Sequence, residues 1–206
     1  MIPLGYLSVL GAGLFMGVLH AFDPDHVVTM SSLGSRPDAR GATMRYAFSW
    51  AIGHGGILVI AALSLLLFQV PVPATLPPGA ERMVGVILIA AGGSLALALV
   101  RAGAQERKPS HLRNKAPFLI GMVHGTAGSA AVLALLPIGL LSPMQGVVYV
   151  LVFSLGVLVG MMGFGHGLDR LQNVVARRAG VLDKPLRGGI AALAIAMGCY
   201  LSLIHI

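Results

Sequence analysis

The chain has 206 residues, 56% of them apolar and 10% charged, with a mean hydropathy of +0.87. That composition excludes a water-soluble domain of this size and reads as an all-α, polytopic membrane protein. The net charge of +7 does not point to nucleic acid, because the basic residues are sorted. Arg36, Arg40 and Arg45 follow the first apolar run, Arg101, Arg107, Lys108, Arg113 and Lys115 the third, and Arg170, Arg177, Arg178, Lys184 and Arg187 the fifth. Only Arg82 lies elsewhere. By the positive-inside rule these alternate loops face the cytoplasm and both termini lie outside, in a multi-pass protein of the cytoplasmic membrane.

Apolar runs extend over Leu4 to Phe22, Tyr46 to Phe68, Met83 to Val100, Ala116 to Leu141, Met144 to Leu168 and Gly188 to Ile206. Each can cross about 30 Å of hydrocarbon as a helix. They predict about six transmembrane helices in one domain over 1–206, with 1–100 and 116–206 as halves of three helices each. No Lys or Arg precedes the first run, so it lacks the charged start of a cleavable signal peptide and is expected to be a retained helix.

At the end of that run stands His20-Ala-Phe-Asp23-Pro24-Asp25-His26. Ionisable groups at membrane depth are costly and mark a functional site by default. As one helix, the stretch from Leu4 to Leu33 would reach about 45 Å, too long for a straight span. Pro24 has no N–H to offer the carbonyl of His20, and it disfavours helix at the residue before it. The spacing therefore predicts a broken helix with the cluster at the break, tolerated at membrane depth where it lines a cavity or binds an ion. On an unbroken helix His20, Asp23 and His26 share an arc of about 120° while Asp25 points away. Asp25 either joins them where Pro24 unwinds the turn or holds a histidine tautomer from behind.

The second run carries Gly53-His54-Gly55-Gly56, with His54 about 13 Å beyond Arg45 by helical rise, near the midplane. It reads equally as a ligand or as a histidine bonded within a packed bundle. Gln69 to Arg82, rich in proline, reads as a short external connection. The third run has no ionisable group, and its Gly92-Gly93-Ser94 reads as packing. In the fourth, Gly121-Met-Val-His124 repeats the spacing of Gly17-Val-Leu-His20, and Phe153-Ser154 follows His124 much as Phe48-Ser49 follows His20. Two halves of three helices must enter the membrane in opposite senses, which makes an inverted repeat. His166, near the cytoplasmic end of the fifth run, is as readily a wet interfacial residue as a ligand. His111 and His205 receive no role. The single Cys199 excludes an internal disulfide and a cysteine-rich metal site.

Imidazole nitrogen with carboxylate oxygen suits borderline divalent ions such as nickel, cobalt and zinc. Four such groups in one break, with His54 and His124 at compatible depth, exceed what a proton path needs. The candidate metal ligands are thus His20, Asp23, Asp25, His26, His54 and His124, with no catalytic residue and no resident cofactor expected. The motif His20-x4-Asp25-His26 resembles the signature of the nickel/cobalt permease family, and His54 resembles the histidine in that family's next helix. The resemblance covers residues 14 to 56 and implies a secondary transporter of nickel or cobalt that recognises the ion at this cluster. Full-length members have eight helices and further acidic motifs. Six runs and Gly125-Thr-Ala-Gly-Ser129 are more similar to the short branch that includes urease-accessory-type membrane proteins.

The divalent ion and the lipid bilayer are the expected partners; a homodimer is compatible with six short helices. The chain has no Gly-x4-Gly-Lys-Ser/Thr loop, so coupling to ATP would require a separate subunit. Two other readings stand beside transport: a membrane metal sensor or assembly factor, and a rhomboid-like intramembrane serine protease using Ser129 and His166. The second lacks a Gly-x-Ser context and sets the two residues at different depths, and no His-Glu-x-x-His supports a metalloprotease.

Overall fold

In a computed structural model, residues 4–34, 42–71, 73–101, 112–127, 141–177 and 183–203 are described. These hold the helices α1 (Leu4–His20), α2 (Pro24–Gly34), α3 (Ala42–Leu66), α4 (Leu76–Val100), α5 (Leu112–Thr126), α6 (Pro143–Arg177) and α7 (Asp183–Leu203), and no strand. Segments Thr43–Leu66, Leu76–Val100, Pro143–Leu171 and Lys184–Leu203 are long and apolar enough to cross a membrane. A fifth span results if α1 and α2, bent by 49° at their junction, are one broken crossing. The architecture is that of a helical multi-pass membrane protein, with four or five spans among the described residues rather than the six expected. The shortfall lies in the fourth run, where α5 has 15 residues and residues 128–140 lie outside those described.

The outer surface is apolar, unlike that of a soluble protein, and the interior holds polar groups among its apolar core. Phe15, Phe48, Ile60, Val86 and Leu193 are exposed on the outside of the bundle, whereas His20, His26, His54 and His124 are buried. A hydrocarbon solvent produces this arrangement, since apolar surface costs nothing there and unpaired polar groups cost several kcal/mol, roughly.

Several helix limits differ from those read in the sequence, three of them at α4, α6 and α7. α4 starts at Leu76, inside the proline-rich stretch expected to be a loop, with Pro77 and Pro78 in its first turn. The first-turn N–H groups of a helix have no intrahelical partner, so prolines there forfeit no hydrogen bond. α6 runs past Leu168 to Arg177, 35 residues in all, about 52 Å by helical rise and longer than the hydrocarbon is thick. α7 begins at Asp183, five residues before Gly188.

In space α1 packs on α6, α6 on α3, α3 on α5, α5 on α4 and α4 on α7. The short α2 touches α3, α4, α6 and α7, so the segment that follows the Pro24 break lies inside the curve of the other helices. Trp50, Phe153, Val157, Met161 and Met30 fill one core, while Val28, Val84, Leu88 and Ala194 form a second where α2 meets α4 and α7.

Close backbone crossings bring the histidine-bearing helices together. A Cβ on Gly17 would land on the carbonyl oxygen of Phe153, and one on Gly156 on that of Leu14. The second crossing has the same pattern, Gly53 against the carbonyl of Phe118 and Gly121 against that of Trp50. Only glycine permits such approach. His20 and His124 each follow a crossing glycine by three residues, and His54 follows Gly53 directly. These contacts match Trp50 with Phe153, two residues away from the Phe48 register suggested by sequence.

Candidate metal centre

The break itself makes the first contacts. α1 ends at His20, whose carbonyl, deprived by Pro24 of its usual donor, accepts the Asp23 N–H at 3.0 Å. The same carbonyl accepts from His26 Nδ1, also at 3.0 Å. A carbonyl can only accept, so His26 carries its proton on Nδ1 and presents the lone pair of Nε2. The proline that opens the helix thereby sets the tautomer of a candidate ligand.

His20 is set from the other side. Its Nδ1 lies 2.8 Å from Asp23 Oδ2, a close contact with the carboxylate out of line for a well-formed hydrogen bond. A carboxylate at that distance favours the tautomer that carries the proton on Nδ1 and leaves Nε2 bare. That Nε2 lies 3.4 Å from Nε2 of His54. Nδ1 of His54 is buried without a partner.

These three imidazoles converge. His20, His26 and His54 each offer a ring nitrogen within 4.8 Å of the others, and all three are buried. His20 and His26 meet edge to face at 4.6 Å between ring centroids, with His54 5.3 Å from His20 and 5.2 Å from His26. Buried polar atoms without partners are rare in folded proteins. Three inward nitrogens, with the Nδ1 atoms of both His20 and His54 lacking a hydrogen-bond partner, form a donor set for a borderline divalent cation.

The carboxylates stand outside the trio. Asp23 faces His20 Nδ1, while Asp25 Oδ2 lies 3.8 Å from His26 Nε2, beyond hydrogen-bond range. The helical phase that grouped Asp23 with the histidines assumed an unbroken helix. With the chain turned at Ala21 and Phe22, Asp23 addresses the back of His20 instead. His124 is buried beside the trio, its ring 5.6 Å from that of His26. Its Nδ1 donates to the Ile120 carbonyl at 3.0 Å, and its Nε2 accepts from the Thr29 hydroxyl at 3.2 Å. His166 is exposed on α6, and Ser129 lies outside the described residues.

Two further groups escaped the sequence reading. Trp50 is fully buried, stacks on His54 at 5.0 Å and 24° and meets His26 edge-on at 4.7 Å. Four residues before His54, it shares that residue's helix face, the one signal that could have identified it. Thr29 lies one turn after Asp25, and a threonine in a membrane helix is too common to single out. Phe153 closes the other side, 5.7 Å from His20.

No family model matches the chain, and no solved structure matches it. A curated relative does: the chain is 29% identical over 170 residues to a protein named urease accessory protein UreH from Bacillus sp. (strain TB-90), a match covering 77% of this chain and 75% of that protein. Over three quarters of both lengths, this membrane chain is similar to a urease accessory protein.

Proposed function

We propose that the chain is a secondary transporter of nickel or cobalt across the cytoplasmic membrane, recognising the ion at His20, His26 and His54. The observation that carries this reading is the convergence of three buried ring nitrogens within 4.8 Å of one another, with the tautomer of His26 set by a backbone carbonyl. Three neutral imidazoles bind Ni2+ or Co2+ in preference to hard cations, and Asp23 and Asp25 offset its charge. The relative's name, urease accessory protein, agrees with a role in handling nickel, the metal that the sequence resemblance also implies.

Alternating access accounts for the glycine crossings. Gly17 meets Phe153 as Gly121 meets Trp50, and Gly156 meets Leu14 as Gly53 meets Phe118. The Asp23 N–H to His20 carbonyl turn recurs as Ala127 N–H to the His124 carbonyl, both at 3.0 Å. Paired contacts of this kind support two inverted halves that rock about a site between them.

The test is accumulation of labelled nickel and cobalt in cells expressing the chain, against His20→Ala and His54→Ala. Both variants are expected to lose accumulation; accumulation at the parental rate in either sinks the assignment of the site. An assembly or sensor role, favoured by the relative's name, would give metal binding without net flux.

A further inference from the structure

His124 is not one of the three convergent histidines, yet it is buried, and its Nε2 lone pair faces inward onto Thr29 of α2. Resting on the transport reading above, we infer that Asp25, Thr29 and His124 form a second, oxygen-rich station for the ion, reached from the three-histidine centre by way of His26.

Helix geometry assembles the station. Asp25 and Thr29 are four residues apart on α2 and share a face, and the Thr29 hydroxyl on that face bonds His124. His26 stands between the two places, its ring 4.6 Å from His20 and 5.6 Å from His124. It can therefore keep hold of an ion that exchanges its other partners.

The two donor sets differ in the sense that transfer needs. The first is three imidazoles, with the His20 side chain at 0% exposure. The second is one carboxylate, one hydroxyl and one imidazole, harder and weaker for nickel or cobalt, with the Asp25 side chain at 19% exposure. Thr29 and His124 are as buried as the trio, so an ion moving from the first to the second stays inside the bundle and passes from a tighter donor set to a weaker one. Two dications this close repel strongly at low dielectric, so the stations fill in turn.

The test uses the full chain, purified for Co2+ titrations followed by d–d absorption and reconstituted in liposomes for Ni2+ flux. In His54→Ala, Co2+ should still bind, ~10–100-fold more weakly and with the faint bands of oxygen-rich coordination, and adding His124→Gln should abolish that binding. Alone, His124→Gln or Thr29→Val should leave equilibrium Co2+ affinity within about twofold and slow flux ~10–100-fold, with Thr29→Ser restoring it. If His124→Gln alone weakens equilibrium binding more than about tenfold, His124 ligates the first ion and there is no second station. The station is equally refuted if the His54→Ala spectrum ignores His124→Gln, or if flux ignores Thr29→Val. A parent chain that binds Co2+ but shows no flux defeats the transport reading, while the paired His54 and His124 titrations still decide whether the second station exists.

Discussion

Replacing Pro24 by alanine restores the one N–H whose lack opens the helix. The new donor competes for the His20 carbonyl, which now accepts from His26 Nδ1 at 3.0 Å. Losing that bond frees the His26 ring to rotate and to carry its proton on Nε2, where a metal cannot bind. A hydrogen bond of this kind contributes about 0.5–1.5 kcal/mol, roughly a 2- to 13-fold change in an equilibrium constant. Groups that hydrogen-bond the outer nitrogen of a metal-bound histidine typically matter by ~10–100-fold, so the expected loss of Ni2+ affinity is about tenfold. Alanine at the first position of α2 removes no packing on its own, since Pro24 is exposed, and helical content should be unchanged. Calorimetric titration of the purified protein with Ni2+, beside circular dichroism, makes the measurement. Affinity within about twofold of the parent, with helicity intact, would refute the claim that the proline sets the tautomer.

Other substitutions probe separate parts of the site. Asp23→Asn removes the anion 2.8 Å from His20 Nδ1 and should weaken Ni2+ binding about tenfold by titration, whereas an unchanged affinity would make Asp23 a bystander. Gly17→Ala drives a Cβ into the Phe153 carbonyl and should destabilise by roughly 1–3 kcal/mol in a thermal unfolding assay. Gly93→Ala, with nothing within 4 Å of the added Cβ, should be neutral or stabilise by up to about 1 kcal/mol. Trp50 is the chain's single tryptophan and lies 5.0 Å from His54, so binding of paramagnetic Ni2+ or Co2+ should quench its emission. Emission unchanged at saturating metal would place the ion elsewhere.

The candidate site was more legible in the sequence than the helix ends. Pro24 announces the break because a missing N–H is a covalent fact, and His20 and His26 follow from it. His54 and His124 stand out as polar residues within glycine-rich apolar runs, where glycine also marks the crossings that bring them inward. Asp23 was harder to place, since its direction depends on where the turn falls between His20 and Pro24, which no periodicity encodes. Trp50 and Thr29 were invisible for another reason: an aromatic or a hydroxyl in a membrane helix has many uses, and only the fold shows which histidine each one meets. The start of α4 is not legible from the proline-rich stretch because proline ends a helix but also begins one, and Pro77 and Pro78 do the latter.

The most direct measurement is Ni2+ entry into liposomes that carry the purified chain and enclose a metal-sensitive dye, run beside His26→Ala. Transport requires flux in the parent that saturates with Ni2+ and is lost in the variant. Binding without flux in the parent, or equal flux in both, would contradict it.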